Sequence, residues 1–168
     1  MSIIPKKIIL AAFLMMLFLT RSLGQTGTVK TSSAVPGFRM QLTNGQYFSS
    51  AEIEKNKPFV LIYFAPDCDH CMILMDKLFK KIHQLDKASV VMITFKPLNE
   101  LIPFEKKYNV PKYQNIRVGT EGTTYAVRNY YKLQKTPFTA VYDKKGMLVF
   151  SYKEETPVDE MLARLKKL

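Results

Sequence analysis

The chain has 168 residues, 47% of them hydrophobic, and carries 25 Lys and Arg against 14 Asp and Glu, a formal net charge of +11. That length supports one domain with a real core, and two cysteines are too few for a disulfide-stapled scaffold. The lysines are scattered from Lys55 to Lys167 rather than gathered in one arm, a pattern of solubility, or of loose attraction to anionic lipid or acidic partners, rather than of nucleic-acid binding.

At the N-terminus Lys6 and Lys7 precede the apolar run Ile8 to Leu19, followed by Thr20-Arg21-Ser22-Leu23-Gly24-Gln25. A basic start, an apolar centre and small residues before Gln25 predict a signal peptide over 1–24, cleaved near Gly24/Gln25. The run is shorter than the ~20 apolar residues a spanning helix needs, so the mature chain is expected to be exported and soluble. Those 24 residues hold three basic and no acidic side chains, leaving +8 on the rest. Residues 25–37, rich in Ser, Thr and Gly, read as a flexible lead-in, and 38–168 as a single domain.

Within that domain Phe38–Leu42 alternates apolar and polar, and Asn44-Gly45 supplies a two-residue turn into Gln46-Tyr47-Phe48, predicting a hairpin. Ser49 or Ser50 caps a short helical turn. Phe59–Phe64 is continuously apolar, as suits a strand buried on both faces. Apolar residues at three- and four-residue spacing predict a helix from Asp69 to about Leu85. Val90–Phe95 is a second buried strand, and Leu98–Tyr108 a helix that Pro103 should kink or end early. Asn115–Val118 reads as a short strand and Thr123–Leu133 as a helix. Phe138–Tyr142 and Met147–Tyr152 flank the turn Asp143-Lys144-Lys145-Gly146 in a second hairpin. Thr156-Pro157 opens a last helix carrying Val158, Met161, Leu162 and Leu165.

The two cysteines form one motif, Cys68-Asp69-His70-Cys71, directly after the Phe59–Phe64 strand. A helix N-terminus carries unpaired N–H groups and a partial positive charge that stabilise a thiolate. A spacing of three puts the second sulfur one turn along, within reach of a disulfide. These residues predict a reactive dithiol.

The order of elements resembles the thioredoxin fold, an α/β architecture, and specifically the exported TlpA/ResA-like thioredoxins, which add an N-terminal β-hairpin and a central β-α insertion. The resemblance runs from about Phe38 onward. It rests on Phe59–Phe64 leading into Ala65-Pro66-Asp67-Cys68-Asp69-His70-Cys71, on Thr136-Pro137 before a strand, and on Asp143-Lys144-Lys145-Gly146. It implies that Cys68 is the nucleophile, Cys71 the resolving thiol, Cys68–Cys71 the redox disulfide, and Pro137 a cis-proline that aims the Thr136 backbone at an incoming chain. The family's two tryptophans are Phe64 and Asp67 here, and the buried acid that many thioredoxins hold six residues before the nucleophile is Ile62. Deprotonation of Cys71 would then fall to an acid elsewhere or to water.

His70 can place a positive charge or an N–H near the Cys68 sulfur, favouring the reduced form, whereas Asp67 and Asp69 oppose the thiolate unless they cap the helix or lie in solvent. The expectation is a potential around the disulfide-isomerase range of about −180 mV. Other readings of the motif fare worse. A c-type haem needs His after the second cysteine, and Met72 stands there. Zinc needs four ligands, and His83 lies too far along the helix to join. A peroxidatic loop would carry Thr where Ala65 stands. The rival from a different class is an exported Cu(I) metallochaperone using Cys68, Cys71, Met72 and Met75, although methionines on that face equally serve a core.

The sequence thus predicts a periplasmic, monomeric thiol–disulfide oxidoreductase that exchanges disulfides with protein substrates. It needs no bound cofactor or metal, trades electrons with a membrane-anchored thiol redox partner, and acts through Cys68, His70, Cys71, Thr136 and Pro137.

Overall fold

The computed structural model describes residues 34–168; the expected signal peptide and most of the lead-in lie outside the described residues. Seven strands form one mixed sheet in the order β2-β1-β5-β4-β3-β6-β7. They are β1 (Arg39–Leu42), β2 (Tyr47–Ser49), β3 (Phe59–Tyr63), β4 (Ser89–Thr94), β5 (Ile116–Thr120), β6 (Phe138–Tyr142) and β7 (Leu148–Lys153). Strands β3, β4 and β5 are parallel, whereas β6 runs antiparallel to β3 and pairs with β7.

The central strands are apolar without alternation because both of their faces are covered. Val60 and Ile62 of β3 enter one core, formed with helices α1 (Asp69–Phe79), α2 (Leu98–Tyr108) and α4 (Val158–Leu165). Phe59, Leu61 and Tyr63 enter a second core, closed by α3 (Ala126–Tyr131) and the N-terminal hairpin. This is the thioredoxin-like α/β fold, with the hairpin β1–β2 and the added α2–β5 unit at one side. Gly119 makes the join of β5 to β1 possible, since a Cβ there would sit 2.7 Å from the Gln41 carbonyl oxygen.

Local departures from the sequence expectations have identifiable causes. The first hairpin turns through three residues, Thr43-Asn44-Gly45, with Gly45 at φ 83° and Leu42 N–H bonded to the Gln46 carbonyl. Helix α1 stops at Phe79, and a separate 3₁₀ turn, Ile82–Leu85, brings Ile82 and Leu85 onto the core. The Asn115 amide holds that turn by donating to the Leu85 and Ala88 carbonyls, each at 2.9 Å. Pro103 lies inside an unbroken α2. The carbonyl it leaves unbonded is that of exposed Asn99, where water can serve. The helix expected over 123–133 is instead a 3₁₀ turn, Gly122–Thr124, then Tyr125 in the left-handed region at φ 48°, then the short α3.

Candidate active site

β3 ends at Tyr63, and Phe64 and Ala65 remain buried as the chain leaves the sheet. Cys68 then caps α1 with extended backbone (φ −102°, ψ 115°), so its sulfur stands at the helix N-terminus. Cys71, one turn along, is wholly buried in the first core, whereas Cys68 is half-buried; both are free thiols. Across from them the Thr136–Pro137 peptide is cis. The Thr136 carbonyl accepts from the Cys68 thiol at 3.7 Å. The fold therefore brings Cys68, Cys71, Thr136 and Pro137 together.

The two sulfurs are unequal for stated reasons. Burial pushes the Cys68 thiol up, but hydrogen bonds from the Cys71 thiol, the Thr136 hydroxyl and the backbone N–H groups of Cys71 and His70 outweigh it, and the balance lies below the ordinary thiol range. Burial and the neighbouring Cys68 sulfur push the Cys71 thiol up to about 12, against the pull of Thr136 and the Ala65 backbone. A thiolate at Cys68 beside a protonated Cys71 is the favoured arrangement. His70 contributes to it through its backbone N–H, and its side chain is exposed on the rim of a groove.

The flanking acids do less than their sequence positions suggest. The Asp67 carboxylate is ion-paired with Lys96, which holds it below the usual carboxylate range. Its charge is thereby offset before it reaches the thiolate. Asp69 is exposed in the first turn of α1, where a negative charge suits the helix dipole. Met75 is wholly buried and Met72 packs against the same core, so both serve packing. His83 stands on the separate 3₁₀ turn rather than on α1.

Two hollows flank Thr136. One, of about 640 Å³, is bounded by His70, Ile73, Lys77, Pro137 and Glu155. The other, of about 110 Å³, is bounded by Tyr63, Phe95, Arg128 and Lys135. A groove of about 1100 Å³, larger than either hollow, lies between the β1–β2 hairpin and residues 110–118 and contains neither cysteine, so size does not mark the chemistry here.

Sequence reasoning missed Glu121, which is 4% exposed at the end of β5. Its carboxyl accepts from the Tyr63 hydroxyl at 2.7 Å and from the Val127 N–H at 2.8 Å. The second bond satisfies a free donor in the first turn of α3, much as a capping residue would. Glu121 thus ties the strand before the cysteine loop to the helix before Thr136. A lone acid after an apolar strand was the only available signal.

The thioredoxin-like domain family matches residues 50–168. No curated protein sequence matches the chain. Among solved structures the chain is similar to a putative thioredoxin from Neisseria meningitidis, at 19% identity over 81% of this chain and 89% of that one, with a TM-score of 0.66. It is similar to a secreted Mycobacterium tuberculosis disulfide oxidoreductase homologous to E. coli DsbE, at 21% identity over 78% and 96%, TM-score 0.64. A peroxiredoxin-like protein from Aquifex aeolicus shares 15% identity over 81% and 85%, TM-score 0.67. Shape at such identities fixes the fold and leaves the chemistry to the site. On the family match and the architecture together, the chain belongs to the thioredoxin-like domain family.

Proposed function

We propose that the chain is an exported thiol–disulfide oxidoreductase of the TlpA/ResA-like kind, exchanging disulfides with protein substrates in the periplasm. The observation that carries this reading is the inequality of the sulfurs: a half-exposed Cys68 held below the usual thiol range, against a buried Cys71 pushed up to about 12.

In the reducing direction the Cys68 thiolate attacks one sulfur of a substrate disulfide, and the other substrate sulfur leaves as a thiolate that takes up a proton. Cys71 then gives up its proton and attacks the Cys68 sulfur. The substrate's second sulfur departs, the Cys68–Cys71 disulfide forms, and the substrate has gained two electrons and two protons. The reverse sequence oxidises a substrate dithiol. The Thr136-Pro137 backbone faces the sulfur and serves as the docking rail for the substrate strand, with the 640 Å³ hollow to seat a neighbouring side chain. A membrane-anchored thiol protein restores the starting state. Support for export comes from the signal-like residues 1–24 and from the secreted Mycobacterium tuberculosis neighbour. A peroxidase reading is disfavoured because Ala65 stands where that chemistry places Thr.

The test is a pair of substitutions incubated with periplasmic protein. Cys68→Ser should abolish exchange, and Cys71→Ser should accumulate a mixed disulfide that dithiothreitol releases. Equal trapping by both variants would overturn the assignment of roles.

A further inference from the structure

Arg128, on α3, is a cation beside Thr136 that, like Lys77 of the larger hollow, pairs with no acid among the described residues. Lys96 is paired with Asp67, and Lys135 with Glu154 at 3.1 Å. Among the described residues Arg128 enters no ion pair. The nearby Glu121 carboxyl is taken up by Tyr63 and Val127 instead.

The Arg128 guanidinium is nevertheless held in place. Its carbon lies 5.5 Å from the centre of the Phe95 ring and 5.6 Å from that of Tyr125. Its Nε donates to the Leu133 carbonyl at 3.2 Å, and its own carbonyl accepts from the Leu133 N–H at 2.9 Å. Those contacts use one of five N–H groups. The four on the terminal nitrogens remain, in the planar fork that matches a carboxylate. The same side chain walls the 110 Å³ hollow that also touches Thr136, whose carbonyl contacts the Cys68 sulfur. A hollow of that size admits a carboxylate group but not a folded segment.

We infer that Arg128 forms a carboxylate subsite beside the reactive cysteine, selecting protein substrates that carry Asp or Glu next to the cysteine under exchange. The inference rests on the oxidoreductase reading above and adds a preference to it. A substrate strand laid along Thr136-Pro137 has its sulfur at Cys68, so a residue adjacent to its cysteine falls toward one of the two hollows. On the Arg128 side the strand meets a fixed, unpaired guanidinium against two aromatic rings, where an acidic side chain is held and an apolar one leaves the charge unanswered. The carboxylate could also belong to glutathione, and the measurement separates the two sources.

The experiment follows oxidation of the reduced protein by three disulfides: a peptide disulfide with Glu beside the cysteine, the same peptide with Gln, and glutathione disulfide. The wild type should react with the Glu peptide about tenfold faster than with the Gln peptide, an advantage that shrinks with added salt. Arg128→Met should remove that advantage while the Gln peptide reacts at its former rate, which also reports that the variant is folded. Lys132→Met, an equal loss of charge at an exposed neighbour, should keep it. Persistence of the preference in Arg128→Met, equal loss in Lys132→Met, or no preference in the wild type would overturn the inference. An Arg128 effect confined to glutathione disulfide would overturn the protein-substrate assignment. Failure of every disulfide to react with the wild type would instead sink the oxidoreductase reading itself.

Discussion

The two faces of β3 are built from adjacent residues and hold opposite kinds of interior. On one face Val60 and Ile62 pack with Phe64 and Cys71. The polar groups near that side are hydroxyls: Thr136 at the sulfurs, and Thr139 hydrogen-bonded to Thr156 at 2.8 Å. On the other face Tyr63 donates to Glu121, the one acid that is buried among the described residues. An acid under Cys71 would ease its deprotonation; here the buried acid lies across the sheet and ties β3 to α3. The contrast teaches that a buried carboxyl in this fold can be architecture, with the dithiol left to hydroxyls, backbone N–H groups and desolvation.

The largest break in that contrast is to move an acid onto the dry face. Ile62→Asp would bury a carboxyl with no partner and should cost about 4 kcal/mol of stability in urea unfolding, while speeding the resolution of a Cys68 mixed disulfide by Cys71. A stable variant would show that water already reaches this core. Next, Glu121→Ala leaves the Tyr63 hydroxyl and the Val127 N–H without an acceptor and should cost about 3 kcal/mol. Glu121→Gln keeps an acceptor oxygen and should cost about 1 kcal/mol. If both cost the same, the two hydrogen bonds do not carry the effect.

A titration sharpens the same contrast. The Cys71 thiol is raised in the folded state, so the native reduced protein keeps a proton that the unfolded chain loses above about 8.5. Its stability relative to reduced Cys71→Ser should therefore fall as pH climbs from about 8.5 toward 12. Cys68 works in the other sense: its lowered thiol contributes stability above the unfolded value, and that contribution is lost as pH falls through the folded one. A flat difference between the two proteins would remove the case for a desolvated Cys71. The smallest effect is expected at the surface. Lys96→Met frees the Asp67 charge and should raise the pH midpoint of Cys68 alkylation by a few tenths of a unit, less so in high salt. A fall in that midpoint would contradict the pairing.

What could be read from the chain before its structure was known followed from local chemistry. The Cys68–Cys71 motif after a buried strand, the two hairpins and the last helix all announce themselves within a few neighbouring residues. The places that escaped depend on distant partners. Helix α1 ends early because Asn115, some thirty residues on, secures a 3₁₀ turn instead. The segment after β5 breaks at Tyr125 where Glu121 reaches forward to Val127. Pro103 looked like a helix breaker only because solvent exposure of Asn99 is invisible in a string of letters. The site was legible as a set of residue types. The pairing of Tyr63 with Glu121, of Asp67 with Lys96, and the unpaired state of Arg128 were not.

Full burial of Cys71 also sets a clock. On the proposed exchange chemistry, a partner tethered to Cys68 removes that sulfur's charge but leaves the burial that raises Cys71. The tether therefore lasts until a proton leaves a site closed to bulk water, and below the thiol's folded value its reactive fraction falls about tenfold for each unit of acidity. The protein would then hold its partner longer in acid surroundings and let go faster in alkaline ones. The dwell time thus becomes a property of the medium as much as of the partner.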